Sequence, residues 1–192
     1  MLRRERKADA PAMRGRLVCV MGPSGAGKDA LIAYVRPRVD PARIVFGHRY
    51  ITRPADAGGE NHVALSPAEF AARRAAGLFA LAWESHGLGY GIGGELDLWL
   101  GRGLGVVVNI ARAAWSDAAG RYPSLTGVLV TAAPEVLAQR LAARGREDQA
   151  AILERLAREV PLPGDPAIHR LDNSGDLAVA GEAFLRLVTG SG

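Results

Sequence analysis

The residues Gly22, Pro23, Ser24, Gly25, Ala26, Gly27 and Lys28 satisfy G-x-x-x-x-G-K, with an apolar run before them and a helix-compatible segment after. That order has a chemical purpose. Glycines let successive backbone N–H groups turn inward on phosphate oxygens, the start of the following helix adds its dipole, and a lysine at this place reaches the outer phosphates of a nucleoside triphosphate. The loop is thus expected to bind the phosphates of a nucleoside triphosphate. The chain has two lysines, Lys7 and Lys28, against abundant arginine, so Lys28 is singled out for a task that suits a compact ammonium. The spacing G-x-G-x-x-G of dinucleotide sites is absent from the loop.

Asp29 stands where such loops carry a Ser or Thr whose hydroxyl ligates Mg²⁺. Two readings are open. Asp29 could supply the negative charge of the metal site, directly or through water, since a hard cation prefers oxygen and keeps most of its waters. It could instead be a first-turn acid favoured by the helix dipole.

The elements that must position this loop alternate. Residues 16–21, 105–110 and 127–132 are continuous apolar runs, as in parallel strands covered on both faces, and a short strand is expected near 167–171. Helical patterns follow at 28–37, 112–120, 134–144, 149–159 and 176–189. The alternation predicts an α/β doubly wound parallel sheet, in one domain over 16–192. Residues 48–93 break it, being rich in Gly, His, Arg and aromatic residues with one helix at the "SPAEF" cap. They are read as an insertion over the carboxyl edge of the sheet, where open α/β folds bind ligands. The core is then 16–47 plus 94–192, with residues 144–150, "RGREDQA", as a lid.

Composition narrows the function classes. No apolar run approaches the ~20 residues that span a bilayer. The first sixteen residues hold six basic and two acidic side chains, which accounts for the whole formal +4. The basic character therefore belongs to a tail, read as disordered over residues 1–15, and a nucleic-acid or membrane partner has no other support. The tail lacks the apolar segment of a secretory signal. The single cysteine, Cys19, excludes an internal disulfide and fits a buried thiol in a reducing cytoplasm. Small-molecule substrates are expected, for a monomer or a homodimer.

Seven strings, "GPSGAGKD", "HRYITR", "ENHVALS", "GLGYGIG", "ELDLWL", "VVVNIAR" and "RLAARGRE", occur in order between residues 16 and 177. Together they resemble the ribose 1,5-bisphosphate phosphokinases of bacterial phosphonate use, relatives of the guanylate kinases. The resemblance implies a P-loop kinase of the nucleoside monophosphate kinase type. Its reaction would move the γ-phosphoryl group of ATP to the 1-phosphate of ribose 1,5-bisphosphate, giving 5-phosphoribosyl 1-diphosphate (PRPP).

Comparison with the guanylate kinase pattern refines the acceptor. Their "GEFLEW" glutamate, which reads guanine, becomes Leu81 in "GLFALAWE", and the second arginine of "TRPPR" becomes Asp56 in "TRPAD". A leucine accepts no hydrogen bond from a guanine edge. By position, Arg53, His62 and Tyr90 match residues that hold the acceptor phosphate, and Arg49 matches a further polar position; His62 as a turn cap and Tyr90 as core stay open. The "DID" that ends their second strand becomes Asn109 and Ala111 here, and Asp29, in the family's own "GKD", is the acid that remains for Mg²⁺. Arg144 in the lid and Arg155 match arginines that neutralise the two converging anions. Asn173, in "AIHRLDNSGDL", falls where related kinases pass the adenine, or else in a turn and cap with Asp172 and Ser174. Glu60, Asn61, Glu84 and Glu95 are candidates for the ribose hydroxyls. A guanylate kinase and a non-catalytic guanylate-kinase-like binding module remain as alternatives, the intact loop speaking against the second.

Overall fold

Strand β1 (Leu17–Met21) is buried at every position, and its side chains alternate between two layers: Leu17, Cys19 and Met21 join one apolar cluster, Val18 and Val20 the other. A strand apolar on both faces needs cover on both sides, the condition met inside a parallel sheet. The structure, a computed structural model, describes residues 15–56, 62–143 and 165–190. The expected tail (except Gly15), Glu60 and Asn61, the expected lid with Arg144, and the expected helix at 149–159 with Arg155 lie outside the described residues.

Around β1, the strands β2 (Ile44–Phe46), β7 (Gly105–Asn109), β8 (Leu125–Thr131) and β9 (Ile168–Asp172) complete a five-stranded sheet in the order β2-β7-β1-β8-β9, every pair parallel. Cys19 sits level with Val108 on one neighbour and Gly127 on the other. Helices α1 (Lys28–Val35), α5 (Pro134–Ala142) and α6 (Leu177–Thr189) cover one face, through Leu31, Val35, Leu137, Phe184 and Val188. Helices α3 (Glu95–Gly101) and α4 (Trp115–Arg121) cover the other, through Leu96, Leu100, Trp115 and Ala118. This is the doubly wound α/β arrangement that the alternation of apolar runs predicts.

Two elements of this layer were not anticipated. β2 is an edge strand of three residues, too short to give a periodic signal, and α3 is short enough that "ELDLWL" reads only as a motif. The start of α6 also corrects an expectation. Its cap is Asp176, whose Oδ1 accepts from Ala178 N at 2.6 Å, while Asp172 and Ser174 form the turn before it, Ser174 Oγ donating to Asp172 Oδ1 at 2.6 Å. A capping side chain stands two or three residues before the N–H it accepts from, at the residue just ahead of the helix, and Asp172 and Ser174 are too far back for a helix that begins at Leu177.

Residues 49–93 build a second sheet, of strands β3 (Arg49–Ile51), β4 (Val63–Ala64), β5 (Phe79–Ser85) and β6 (Leu88–Gly93) in the order β4-β3-β6-β5. Helix α2 (Pro67–Ala75) packs on it and opens as the sequence predicts, with Ser66 Oγ accepting from Glu69 N at 3.1 Å. The strands themselves were hidden. β6 alternates Leu88, Tyr90 and Ile92 with glycine at 89, 91 and 93, a residue depleted from strands and common in loops, so the run reads as loop; the bare backbone lets Phe70 pack on Gly89 and Phe79 on Gly91, aromatic rings filling the space a Cβ would take. β5 and β6 form a hairpin closed by His86 and Gly87, with φ of 51° and 72°; positive φ at both central residues marks a type I′ turn.

No described helix is long and apolar enough to cross a membrane. Cys19 is 0 % exposed in the middle of the parallel sheet, and burial pushes its thiol well above the ordinary range. Only the thiolate reacts with disulfide reagents, so native protein is expected to resist labelling at Cys19 until denaturant opens the core. Stopped-flow labelling checks this; prompt reaction in native buffer would contradict the packing of β1.

Candidate active site

The G-x-x-x-x-G-K loop leaves the carboxyl end of β1, between β7 and β8, and enters α1, the crevice where open α/β sheets bind ligands. Its glycines carry the curvature: Gly22, Gly25 and Gly27 have φ of 145°, 85° and 87°, a region that side chains strain to enter. A Cβ on Gly22 would run into Val130 O, and one on Gly27 into the Asn173 amide. Lys28 Nζ donates to Gly22 O and Pro23 O, both at 2.9 Å. The ammonium is thereby folded back over its own loop, at the mouth where phosphates would lie.

Asn173, at the end of β9, is 2 % exposed and donates from Nδ2 to Ala26 O at 2.7 Å. It pins the loop from behind, while Arg140 Nη1 lies 3.5 Å from Gly25 O. This position gives Asn173 a bracing contact with the main chain that sequence reasoning, weighing an adenine contact against a cap, did not foresee.

Asp29 sits in the first turn of α1, so that part of its local reading is met. Its carboxylate also faces the end of β7: Asn109 Nδ2 donates to Asp29 Oδ1 at 3.3 Å, and the buried Asn109 Oδ1 has no partner. Two oxygens at the mouth of a phosphate loop, one anionic and one buried without a donor, fit Mg²⁺, which takes one or two protein ligands and completes its shell with water and phosphate oxygens. Among the described residues no three His, Cys, Asp or Glu side chains cluster as metal ligands, so an all-protein cage is not formed here.

Opposite the loop, the second sheet contributes Arg49 and Tyr90, and the bend that follows β3 contributes Arg53. All three line one cavity of about 250 Å³ with Gly22, Ser24, Gly25, Gly27, Lys28, Asp29 and Asn109. The Arg49 guanidinium stacks over Tyr90 at 5.3 Å, and Tyr90 stacks on Trp83 with ring centroids 5.6 Å apart. Tyr90 thus packs on a ring and also lines the cleft. His62 does not line the cavity. It is 8 % exposed and stands behind Arg53: Nε2 lies 3.2 Å from Arg53 O and Nδ1 3.4 Å from Arg53 Nη2. With the ring proton on Nε2 both contacts are satisfied, Nε2–H donating and Nδ1 accepting. A second cavity, about 230 Å³, adjoins through Asp29, Arg49 and Asn109 and adds Arg36 and His48.

Four cleft residues lie outside the sequence reading: Trp83, Ser85, His86 and, just past the end of β7, Ile110. The available signal was the two-residue turn after Ser85, which pairs Trp83 with Tyr90 and puts them on one face. Leu81, at the guanine-reading position, is 5 % exposed and lies opposite Ile92 in the core.

No family model matches the chain. Individual relatives do. It is 54 % identical over 175 residues to a ribose 1,5-bisphosphate phosphokinase of Desulfomicrobium baculatum, covering 90 % of this chain and 94 % of that one. The same figure holds over 176 residues for the Chromobacterium violaceum enzyme of that name, with 92 % and 95 % covered. Among solved structures, a guanylate kinase from Anaplasma phagocytophilum superposes with a TM-score of 0.65 at 15 % identity, over 93 % of this chain and 87 % of that one. A Thermus thermophilus protein, TT1252, gives 0.51 at 17 % identity, over 93 % and 98 %. These structural likenesses establish the fold.

Asn173→Ala removes the brace on Ala26 O and leaves that carbonyl without its buried donor. The expected outcome is a loss of about 1–3 kcal/mol in stability, with weaker ATP binding, read by denaturant titration and calorimetry respectively.

Proposed function

The chain belongs to the ribose 1,5-bisphosphate phosphokinase family, and from that premise we propose that it transfers the γ-phosphoryl group of ATP to the 1-phosphate of ribose 1,5-bisphosphate, giving PRPP and ADP. One observation supports this most directly. The phosphate loop and the two arginines opposite it, Arg49 and Arg53, line the same cavity, so two phosphate-bearing ligands meet head to head. The buried Leu81 offers a guanine base nothing to bind.

Each residue has a task in this reading. The N–H groups of residues 22–28 hold the donor phosphates, and Lys28 exchanges the Gly22 and Pro23 carbonyls for β and γ oxygens. Arg53, oriented by His62 behind it, holds the acceptor phosphate with Arg49 and the Tyr90 hydroxyl. An oxygen of the 1-phosphate attacks the γ phosphorus, the bond from that phosphorus to the β,γ-bridging oxygen breaks, and ADP leaves. The attacking oxygen is already ionised at neutral pH, so no general base is required and catalysis comes from alignment and charge neutralisation. Asp29, with Asn109, would hold Mg²⁺, which when bound draws off charge from the donor phosphates. Arg144 and Arg155 are assigned to the converging charge, a lid over 144–150 would exclude water, and removing one such arginine should cost on the order of 10³ in turnover. We assign the protein to a reducing cytoplasm, on the strength of its single, buried thiol.

The test is an acceptor panel with ATP and Mg²⁺: ribose 1,5-bisphosphate, GMP and ribose 5-phosphate. ADP release is expected with the bisphosphate and not with GMP; a preference for GMP would reverse the assignment. Asp29→Asn is expected to raise the Mg²⁺ concentration needed for half-maximal turnover at fixed ATP. An unchanged Mg²⁺ titration would leave Asp29 as a helix first-turn residue alone.

A further inference from the structure

Of the four candidates for the sugar hydroxyls, Glu60 and Asn61 lie outside the described residues, and the other two are turned away from the cleft. The Glu84 carboxylate takes Arg74 Nη1 at 2.9 Å and lines a cavity on the far face of the second sheet, with Thr52, Phe70 and Leu88. Glu95 lies against Gly93 and beside Tyr50, whose hydroxyl is pushed up by burial and then by that carboxylate. Neither acid lines the cleft. Alternation along β5 sends Glu84 outward and brings Trp83 and Ser85 to the cleft side, and the turn adds His86. Lys28, Arg49 and Arg53 suit phosphates. Sugar hydroxyls both donate and accept, and are matched by groups that do the same, a serine hydroxyl or a neutral imidazole. On the acceptor side of the cleft, Ser85 and His86 are such groups.

The backbone supplies a second observation. Among the described residues, His86 is the one non-glycine residue with positive φ, 51°. It holds the first central place of a type I′ turn, where Asn, Asp or Gly is preferred. Histidine enters this region more readily than most side chains but is not one of the residues the turn itself favours, so the turn alone does not account for an imidazole at the cleft.

We propose that Ser85 and His86 form the sugar-reading edge of the acceptor site, their side chains hydrogen-bonding the ribose hydroxyls of the bisphosphate between its two phosphates. The inference builds on the acceptor assigned above. Trp83, stacked on Tyr90 beneath them, fixes the strand from which they project.

Steady-state kinetics and thermal unfolding of H86G, H86N and S85A test it. Glycine and asparagine suit the turn better than histidine, so both His86 variants are expected to unfold at or above the wild-type temperature. The KM for ribose 1,5-bisphosphate is expected to rise about tenfold in H86G, the order of one lost hydrogen bond, less in H86N, whose amide can still donate and accept, and severalfold in S85A. The KM for ATP should stay within about twofold of wild type. An unchanged acceptor KM in H86G, or an equal rise in the ATP KM, overturns the inference. Wild-type protein inert toward ribose 1,5-bisphosphate would instead overturn the acceptor assignment, and this inference with it; the wild-type measurement alone separates the two failures.

Discussion

The Lys28 ammonium, folded onto the carbonyls of Gly22 and Pro23, is the interaction around which the remaining architecture is arranged. A cation at the carboxyl edge of β1 is useful only if the loop beneath it points N–H groups the same way, and that demands glycine where φ is positive. The loop in turn must keep its shape against the mutual repulsion of the phosphates such a motif gathers. Asn173 from β9 does this from below, and the loop's near neighbour Val130, from β8, leaves no room for a side chain on Gly22. The parallel sheet is therefore more than a scaffold: its strand order decides which residues stand behind the loop.

The second sheet answers a different constraint. Lys28, Arg49 and Arg53 gather in one cleft with Asp29, an excess of positive charge that anionic ligands relieve. The fold, shared with a guanylate kinase, sets the phosphate loop at the carboxyl edge of one sheet and Arg49 and Tyr90 on the other. With Leu81 turned into the core and Ser85 and His86 at the cleft, the side facing the loop presents Arg49, Arg53 and Tyr90 beside them and no acid.

The parallel core was readable from the sequence because its strands are continuous apolar runs and its loop motif has a fixed neighbourhood of strand and helix. Lys28 and Asp29 were legible for the same reason. Arg49, Arg53 and Tyr90 could be named only through the family resemblance, yet the structure brings them to the cleft. His62, named on the same ground, lies one layer behind. What stayed hidden has physical causes. Glycine at 89, 91 and 93 gave β6 the composition of a loop, three residues were too few to announce β2, and the bracing role of Asn173 depends on a contact spanning most of the chain, which no local pattern encodes.

The central claim is that the loop between β1 and α1 grips the outer phosphates of a triphosphate through its main chain and Lys28. A crystal structure with a non-hydrolysable ATP analogue and Mg²⁺ tests it directly. The account predicts β and γ oxygens within hydrogen-bond distance of the amides of residues 25–28, with Lys28 Nζ moved from the Gly22 and Pro23 carbonyls onto those oxygens. Phosphates bound elsewhere, with Lys28 still tied to its own loop, would contradict it.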